Sequence, residues 1–383
     1  MIAKEWMTGF FEKEFGKTPR CFRSPGRINL IGEHTDYNEG FVLPAGIDLF
    51  CNIAITPTDN GGCTLIAYDL GEKVTFTDCP DGQSATFWPN YIIGVKMAFR
   101  KRGFDLPHFN AVIRSEIPVG AGLSSSAALE SVFAFAFNEI FNCGLSSLEL
   151  TKIAQESEND FIGLQCGIMD MFASIHAKKD KSIRLDCRSL EYEYIPLDLG
   201  NNKLLLFDTA VKHELASSEY NTRRLECKEA VNTLKSLGHQ VNSLRDVSLE
   251  LLYASKEKID PTYYQRAKHV VEENKRLHDF SDAVATNNWV LAGQLLYASH
   301  NSLKNDYEVS CDELNLLVET VKDMDGVWGA RMMGGGFGGC TLNLVEADKI
   351  DNIVEKVNKA YSTVYGFEPK HYIAGTSDGA AEF

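Results

Sequence analysis

The sequence predicts an α+β protein of two domains, and three observations support this class. The chain has 383 residues, a length that commonly divides into two compact domains with separate cores. In the first half, a strand-like segment passes through a glycine turn into an apolar helix. In the second half, the order strand, helices, strand, strand, helix, strand is that of a split βαβ sandwich. A change of character near Gly200 places the domains at residues 1–200 and 201–383.

The N-terminal segments supply the first helix and the first strands. Residues 1–17 have an amphipathic helical pattern with charges throughout, and they lack the apolar centre and cleavage site of a signal peptide. Residues 20–26 are predicted to be a short extended piece that is closed by a turn at Pro25 and Gly26. Residues 50–80 have the pattern of strands joined by turns.

Residues 27–49 interrupt an otherwise apolar strand pattern with polar side chains. Five of these side chains crowd into ten positions: Asn29, Glu33, His34, Asp36 and Asn38. So many hydrogen-bonding groups between two apolar pieces favour the lining of a polar site. A solvated loop is the alternative.

The segment PVGAGLSSSAALE, residues 118–130, joins a strand at 108–117 to a helix at 127–141. Gly120 and Gly122 permit positive φ and let a ligand approach the backbone. Three serine hydroxyls lie beside the free N–H groups of the first helical turn, where the helix dipole favours an anion. These hydroxyls belong to Ser124, Ser125 and Ser126. The segment predicts a phosphate loop, although it has neither the lysine of a Walker loop nor the GxGxxG spacing. An ordinary glycine turn with a serine cap is the alternative.

Two aromatic residues, Trp88 and Tyr91, lie three positions apart at the start of an apolar helix. On one helical face they are placed to stack against a flat base, and core packing is the alternative reason for such a pair.

Asp170 is an acidic residue in an unusually apolar part of the sequence. A helix that starts at a capping box of Ser146 and Glu149 breaks at Gly163, and Asp170 follows among apolar neighbours. A carboxylate in such a setting is costly unless something compensates its charge. This favours a functional role for Asp170 over the alternative of a helix cap.

The glycine run GGGFGG, residues 334–339, lies between predicted strands at 327–332 and 340–345. Its five glycines lose much conformational entropy on folding, so a close backbone approach to a ligand or to the other domain is expected. A glycine-rich hairpin is the alternative. Apolar stripes predict helices at 312–324 and 348–365 on either side of these strands.

Composition limits the class of protein. A net charge of −15, from 38 basic and 53 acidic residues, argues against nucleic acid or an anionic membrane as partner. The ten cysteines lack zinc-ligand spacing and are expected to be buried thiols of a reducing compartment. No run of 18 apolar residues occurs, so a cytoplasmic protein is expected. A bound polyphosphate would need neutralisation by loop amides, a few cations and Mg²⁺.

Three motifs, in order, carry a resemblance to a known family: PGRINLIGEHTDYNEGFVLP, PVGAGLSSSAALE and GARMMGGGFGGC. Together they resemble the galactokinases, a family of the superfamily that also contains homoserine, mevalonate and phosphomevalonate kinases (GHMP kinases). The middle and late motifs are typical of the superfamily, and the early motif is typical of galactokinases and their nearest relatives. FWPNYIIG, CGIMDMF and HELASSEYNTRR also resemble the family, so the resemblance covers nearly the full chain.

This resemblance implies a two-domain GHMP kinase fold with the active site in the cleft between domains. The N-terminal domain is expected to have a mixed sheet with helices on one side, and the C-terminal domain a ferredoxin-like split βαβ arrangement. The implied reaction transfers the γ-phosphate of ATP to the C1 hydroxyl of α-D-galactose, the first committed step of galactose breakdown by the Leloir pathway. A monomer that uses Mg-ATP is expected.

The resemblance also implies roles for individual residues. Arg27 and Asp170 would form the catalytic pair. The sugar would be surrounded by Glu33, His34, Asp36, Gly167 and Tyr220. The phosphates would lie against Gly120, Gly122, Leu123, Ser124, Ser125 and Ser126, and the adenine between Trp88 and Tyr91. Mg²⁺ would lie near Ser126 and Glu158. Met171 and Met333 depart from the family pattern, where glutamine and threonine are expected.

The chemistry is consistent with these residue types. Phosphoryl transfer depends mainly on positioning and on neutralising charge. An aspartate is too weak a base to take a sugar proton before attack begins, so Asp170 would accept it late, with Arg27 beside it as the cation.

Two alternatives remain open: a kinase for N-acetylgalactosamine or another sugar, and a non-catalytic galactose and ATP sensor. The serine run and Asp170 favour an enzyme. A dinucleotide-binding dehydrogenase is excluded, since no glycine cluster opens a βαβ unit with an acid about 20 residues on.

Overall fold

The structure, a computed structural model, describes residues 2–77, 84–212 and 216–383. Its first sheet is built from six strands: β1 (Arg20–Asn29), β3 (Pro44–Pro57), β4 (Cys63–Ala67), β5 (Glu72–Phe76), β6 (Phe109–Ser115) and β13 (Ala381–Glu382). They lie in the order β13-β1-β3-β6-β4-β5. Strands β4 and β6 are parallel and the other neighbours are antiparallel, so the sheet is mixed as expected.

Two smaller sheets complete the strands. The second sheet contains β9 (Asn202–Lys212), β10 (Val327–Met332), β11 (Gly338–Glu346) and β12 (Lys370–Ala374), and the third contains β2 (Phe41–Val42), β7 (Lys181–Asp186) and β8 (Tyr192–Pro196). The second sheet has the order β10-β11-β9-β12, with every neighbouring pair antiparallel. Strand β9 therefore separates the parallel strands β11 and β12, which is the expected split βαβ arrangement.

The helices of the described residues lie between and around these sheets. They are α1 (Lys4–Phe15), α2 (Pro89–Lys101), α3 (Ser125–Ile140), α4 (Ser147–Glu156), α5 (Met169–His176), α6 (Ala216–Ser236), α7 (Leu249–Ala254), α8 (Pro261–Ala285), α9 (Trp289–Asn305), α10 (Asp312–Val321) and α11 (Ile350–Tyr365). A π-helical segment, Ser157–Ile162, follows α4 and ends at Gly163. Among the described helices, none combines the length and the apolar content that a membrane span requires.

Alternating side chains give the first sheet two buried faces. Phe22 and Ile53 pack on the face that carries α2 and α3, whereas Cys21 and Ala54 pack on the opposite face. Helix α1 covers that opposite face through Met7 and its neighbours. Helices therefore lie on both sides of this sheet, and the expectation of helices on one side applies to α2 and α3 but not to α1.

A continuous core joins the two larger sheets. In β9, Leu204 and Leu206 pack with the core of the first sheet, whereas Leu205 and Phe207 pack with α10 and α11. The apolar stripes of α10 and α11 are buried at these contacts, as their spacing predicts. After β12 the chain returns to the first sheet, where β13 pairs with β1. The C-terminal strand β13 thus belongs to the first sheet, although the rest of the second half of the chain builds the second sheet and its helices.

The predicted turn at Pro25 and Gly26 is wrong. Strand β1 continues to Asn29, with a bulge between Pro25 and Arg27 in its pairing with β3. A Cβ on Gly26 would lie 2.8 Å from the carbonyl oxygen of Leu123, because the glycine-rich turn before α3 crosses the strand at this point. The glycine thus permits a close crossing within a strand. Of the segment HELASSEYNTRR, residues 213–215 lie outside the described residues.

Candidate active site

The turn before α3 holds its serines in a special geometry. Gly120 and Gly122 have φ of 83° and 74°, and Ser124 is also left-handed with φ of 58°. The Ser124 side chain does not cap α3, so the alternative of a serine-capped turn is wrong for this residue. The first N–H groups of α3 therefore keep their capacity to bind an anion. Ser125 and Ser126 lie in that first turn.

Arg27 and Asp170 form an ion pair between β1 and the start of α5. Arg27 Nε and Nη2 lie 2.9 and 2.8 Å from Asp170 Oδ1, and Ser124 Oγ donates to Asp170 Oδ2 at 2.6 Å. Arg27 Nη1 also donates to the carbonyl of Gly122 at 2.6 Å, and its backbone N–H donates to the carbonyl of Leu123 at 3.1 Å. The side chain of Arg27 is 5% exposed and that of Asp170 is 28% exposed. The turn before α3 thus holds Arg27 in place, while the carboxylate of Asp170 remains partly exposed.

The Arg27–Asp170 pair opens into a cavity of about 300 Å³, here called the sugar cavity. Nine of the sequence-predicted site residues line it: Arg27, Glu33, His34, Asp36, Ser126, Glu158, Gly167, Asp170 and Tyr220. Gly334, Gly335, Gly336 and Phe337 of the late glycine run complete the wall. The cavity therefore combines residues from both halves of the sequence.

Glu33 connects the early motif to the glycine run. It is 2% exposed, and its Oε1 accepts hydrogen bonds from the N–H of Gly334 at 2.8 Å and from Arg331 Nη2 at 3.0 Å. Arg331 is fully buried and also donates to the carbonyls of Asn29 and Leu30. This charge-assisted network holds one edge of the sugar cavity.

Asp36 and Gly167 face each other across the sugar cavity wall. A Cβ on Gly167 would lie 1.7 Å from Asp36 Oδ2, so only glycine leaves room for the carboxylate. Burial, and then the charge of Asp170, raise the pKa of Asp36 to about 7. This group therefore takes up a proton more readily than a surface aspartate.

His34 occupies the same wall with a neutral ring. Burial, followed by His269 and Arg223, lowers the pKa of His34 to about 3. Tyr220 lies beside it, with the two ring centroids 5.5 Å apart. The histidine therefore acts as a neutral hydrogen-bonding group at ordinary pH.

Glu158 projects from the π-helical segment toward the start of α3. Ser126 Oγ donates to Glu158 Oε1 at 3.1 Å. Burial, and then the charge of Asp170, raise the pKa of Glu158 to about 7. The fully buried Glu130 of α3 adds a further carboxyl group, and burial raises its pKa well above the usual range. This excess of acid next to the phosphate loop favours a bound cation.

A second cavity of about 430 Å³, here called the base pocket, lies on the other side of Ser126. Trp88, Tyr91, Ser125 and Ser126 line it together with mainly apolar residues of the first sheet. Trp88 Nε1 donates to Glu72 Oε2 at 2.6 Å. The two aromatic residues thus border a pocket rather than being enclosed in the core.

The late glycine run approaches the phosphate loop closely. Cβ atoms on Gly334 and Gly339 would lie within 3.6 Å of the backbone of Gly122 and Ala121. At Gly336, which has φ of 84°, a Cβ would lie 2.1 Å from the carbonyl oxygen of Val309. The predicted close backbone approach is therefore present, and the run lines the sugar cavity as well.

Several contributors were missed by sequence reasoning. Arg331 and Glu130 are lone charged residues in apolar segments, and that signal could have singled them out. Helix α8 holds the early motif in place: His269 Nε2 lies 3.1 Å from the carbonyl of Glu33, and Glu273 Oε1 accepts from the N–H of Gly32 at 3.1 Å. Only tertiary structure brings these residues together.

The two departures from the family pattern are buried. Met171 is fully buried and packs with Ala127 and Ala154, and Met333 is 1% exposed. The N–H of Met333 donates to the carbonyl of Cys340 at 2.9 Å, which a methionine permits as well as any residue. Neither side chain replaces a polar group of the sugar cavity.

Comparison with known proteins agrees with this architecture. Residues 9–57 match the galactokinase galactose-binding signature, residues 90–178 the N-terminal domain of GHMP kinases, and residues 280–363 their C-terminal domain. The crystal structure of Methanococcus jannaschii mevalonate kinase shares the fold, with a TM-score of 0.65 and 18% identity over 94% of this chain and 99% of that one. Fold and domain matches together define the chain as a GHMP kinase.

More similar proteins narrow the class. The galactokinase of Thermosipho africanus is 40% identical over 360 residues, which are 94% of this chain and 99% of that protein. The structure of Lactococcus lactis galactokinase complexed with galactose superimposes with a TM-score of 0.95 at 36% identity, covering 99% of both chains. The chain belongs to the galactokinase family.

Proposed function

We propose that this chain transfers the γ-phosphate of ATP to the C1 hydroxyl of α-D-galactose. The observation that carries the proposal is the Arg27–Asp170 pair, which stands open toward the sugar cavity and next to the phosphate loop. Family membership supports galactose as the sugar and ATP as the donor. A monomer is proposed as the catalytic unit, because the two halves of the chain together line the sugar cavity. The nine free thiols of the described residues support a cytoplasmic location.

Asp170 is proposed as the group that accepts the proton of the C1 hydroxyl. Its Oδ1 is held by Arg27, and its Oδ2 accepts one hydrogen bond from Ser124, which leaves a lone pair for the sugar. Because a carboxylate is a weak base toward an alcohol, the proton moves late, as the oxygen–phosphorus bond forms. The phosphoryl group leaves ADP and joins the sugar oxygen, and Asp170 holds the proton until product release.

Arg27 is proposed to act on two anions, the carboxylate of Asp170 and the γ-phosphate of ATP. Its Nε and Nη2 fix the carboxylate of Asp170, while Nη1 holds the carbonyl of Gly122 and thereby the phosphate loop. A guanidinium makes these contacts simultaneously because its donors are planar and divergent. The charge of Arg27 thus lies where negative charge accumulates on the transferring group.

The phosphate loop is proposed to bind the nucleotide through backbone amides. The residues are Gly120, Gly122, Leu123, Ser124, Ser125 and Ser126, with Trp88 and Tyr91 beside the adenine. Leu123 contributes only its backbone, because its side chain is buried in the core. The position of Ser126 on both cavities supports this arrangement.

Mg²⁺ is the proposed cofactor, and Ser126 and Glu158 would hold it. In the described part of the chain, no three histidine, cysteine or acidic side chains are spaced to hold a metal ion by themselves. This fits Mg²⁺, which commonly binds through one or two protein groups together with substrate phosphates. When bound, the ion neutralises charge on the phosphates. The excess of buried acid near Glu158 supports a cation there.

Galactose is proposed to be recognised by Glu33, His34, Asp36, Gly167 and Tyr220. In its ionised form, Asp36 would bind a sugar hydroxyl with a charge-assisted bond worth roughly 1.5–3 kcal/mol. An epimer that leaves one acceptor unpaired loses that energy, which selects against glucose. We also propose that the chain divides into two domains after residue 200, with the last strand, β13, returning to the first sheet.

The test is the rate of ADP formation with Mg-ATP and a panel of D-galactose, D-glucose, N-acetylgalactosamine, L-arabinose and mevalonate. We expect galactose to dominate the panel. Dominance of N-acetylgalactosamine would make the chain a kinase of another sugar. If none of these compounds supports ADP formation and galactose still stabilises the folded protein, the chain is a sensor and the proposal is contradicted.

A further inference from the structure

His34, one of the residues proposed to recognise galactose, is connected to buried polar groups that have no role in the proposed reaction so far. His34 is 4% exposed and has a left-handed backbone with φ of 63°, which is a strained conformation for a residue with a Cβ. Its Nδ1 lies 2.8 Å from the hydroxyl of Tyr37. Its Nε2 is buried and has no hydrogen-bond partner among the described residues. Tyr37 therefore holds Nδ1, and Nε2 remains for a ligand that can displace the contact of the ring with the backbone of Gly335, a neighbouring residue of the cavity wall.

The contact between His34 and Tyr37 is the last in a chain of three hydrogen-bonding contacts. The hydroxyl of Tyr37 is 2.8 Å from the hydroxyl of Tyr307, and the latter is 3.1 Å from Cys227 Sγ. Tyr307 is fully buried and Cys227 is 1% exposed. We call this line of Cys227, Tyr307, Tyr37 and His34 the relay. Both tyrosine hydroxyls have a single proton, so the hydrogen bonds of the relay must all run in one direction.

The chemistry of the two ends decides the direction. If the bonds ran toward Cys227, the thiol sulfur, a weak acceptor, would receive the last one. If they run toward His34, the last acceptor is the bare Nδ1 of a neutral imidazole, which is a much better acceptor, and the thiol supplies the first proton. Burial raises the pKa of the Cys227 thiol to about 11, so this proton is present. The direction toward His34 is therefore favoured.

We propose that the relay fixes the tautomer of His34, with Nδ1 bare and Nε2 protonated, so that His34 offers a hydrogen-bond donor to the sugar. Tyr37, Tyr307 and Cys227 are then positioning residues, which act on the sugar only through His34. The proposal rests on the proposed function in that the ligand is taken to be galactose. It adds that one hydroxyl oxygen of the sugar must act as acceptor toward Nε2.

The first experiment observes the tautomer directly. The ligand-free protein is labelled with ¹⁵N-histidine, and the His34 signals are identified by their loss in His34→Gln. We expect an unprotonated Nδ1 and a protonated Nε2 in the wild type, and a mixture of tautomers in Tyr37→Phe. A protonated Nδ1 in the wild type would overturn the proposal. So would an unchanged tautomer in Tyr37→Phe.

The second experiment measures galactose binding and turnover in Tyr37→Phe and Tyr307→Phe. We expect the KM for galactose to rise about three- to tenfold, the range for one neutral hydrogen bond, while kcat stays within about twofold. The matched control is Tyr361→Phe. This substitution removes a buried hydroxyl outside the relay, which donates to the carbonyl of Thr209 at 2.8 Å. The control should lose stability without a change in KM. An equal change of KM in the control would reduce the effect to general destabilisation and contradict the relay.

A coupling test identifies the sugar oxygen involved. Monodeoxygalactoses are bound to wild type and to Tyr37→Phe, and the penalty of the substitution is compared for each sugar. The relay predicts that the penalty vanishes for one deoxy sugar and persists for the others. A penalty that is the same for all of them would overturn it.

Substitutions of Cys227 test the far end of the relay. Cys227→Ser keeps a proton donor and should preserve the tautomer and the KM, whereas Cys227→Ala should reproduce part of the Tyr37→Phe effect. A loss in both variants alike would contradict the role of the thiol proton. If the wild type phosphorylates no galactose, the proposed function fails, yet the histidine spectra still decide whether the relay exists.

Discussion

The sugar cavity and the base pocket share Ser126 and differ in almost every other respect. The sugar cavity is lined by residues from Arg27 to Phe337, so both halves of the sequence build it. The base pocket is lined only by residues between 51 and 129, and two of its apolar residues, Phe87 and Val119, are more than half exposed. The first site is lined by charged, hydrogen-bonded side chains, and the second mainly by apolar ones.

Under the proposed roles, phosphoryl transfer and sugar selection both belong to the sugar cavity, whereas adenine binding belongs to the base pocket. Positions in the sugar cavity are fixed by networks such as Arg331–Glu33–Gly334 and Arg27–Asp170–Ser124. The base pocket relies on contact area, which is sequence-tolerant and adaptable. Substitutions in the sugar cavity should therefore affect turnover and sugar binding strongly, whereas substitutions in the base pocket should affect nucleotide binding modestly.

The largest effect is expected for Asp170→Asn, which keeps the shape of the sugar cavity but removes the proton acceptor. Turnover should fall by about 10²–10⁴-fold, the usual contribution of a general base, while calorimetry should show ATP and galactose binding nearly intact. Asp160→Asn is the matched control, because Asp160 is an exposed residue paired with Lys101. Turnover of Asp170→Asn within tenfold of the wild type would rule out the base assignment.

The next largest effect is expected for Gly167→Ala. The new Cβ would lie 1.7 Å from Asp36 Oδ2, so the carboxylate must move away from the sugar. We expect the KM for galactose to rise about tenfold or more, since one charge-assisted bond is lost. Gly9→Ala is the control, because Gly9 lies in α1, outside the lining of the sugar cavity, and its Cβ would meet no atom within 4 Å. Equal KM values for the two variants would show that Asp36 is not held by this contact.

A smaller effect is expected in the base pocket. Trp88→Ala removes an aromatic face, whose specific contribution is about 0.5–1.5 kcal/mol beyond buried area. The KM for ATP should rise roughly three- to tenfold, while kcat and the KM for galactose stay unchanged. Initial rates at varied ATP and at varied galactose separate these constants. A change confined to galactose would place Trp88 in the wrong pocket.

The smallest effect concerns stability and pH. Because the pKa of Asp36 is raised to about 7 in the folded protein, the wild type loses stability as pH rises from about 4 to about 7. Asp36→Asn lacks this loss, so its stability relative to the wild type should increase across that range and then level off. Denaturant titrations at several pH values measure the difference. A difference that stays constant with pH would contradict the raised pKa.

Local patterns predicted most of the elements correctly. The buried stripes of α10 and α11 and the capping box of Ser146 and Glu149 depend on residues near one another in sequence, so they can be read directly. The glycine runs predicted close backbone contacts because their entropic cost demands compensation. The Pro25–Gly26 turn failed because the need for glycine came from Leu123, a tertiary neighbour.

The site residues likewise divide into those that sequence motifs could indicate and those that only tertiary contacts reveal. Nine residues of the sugar cavity were recognised from the family resemblance, five of them within the three main motifs, and the structure brings all nine together. Arg331, which contacts Asn29 about 300 positions away, and the relay residue Tyr307 could not be placed by any local pattern. Contacts of such separation depend on how the second half of the chain folds against the first.

The most direct test of this account is the identity of the product. Galactose and Mg-ATP are incubated with the wild type, and the product is examined by ³¹P and ¹H nuclear magnetic resonance. We expect one equivalent of ADP and one of α-D-galactose 1-phosphate, because the proposed mechanism places the C1 hydroxyl against Asp170. Phosphate on another hydroxyl, or ADP without a sugar phosphate, would contradict the placement of the sugar against Asp170.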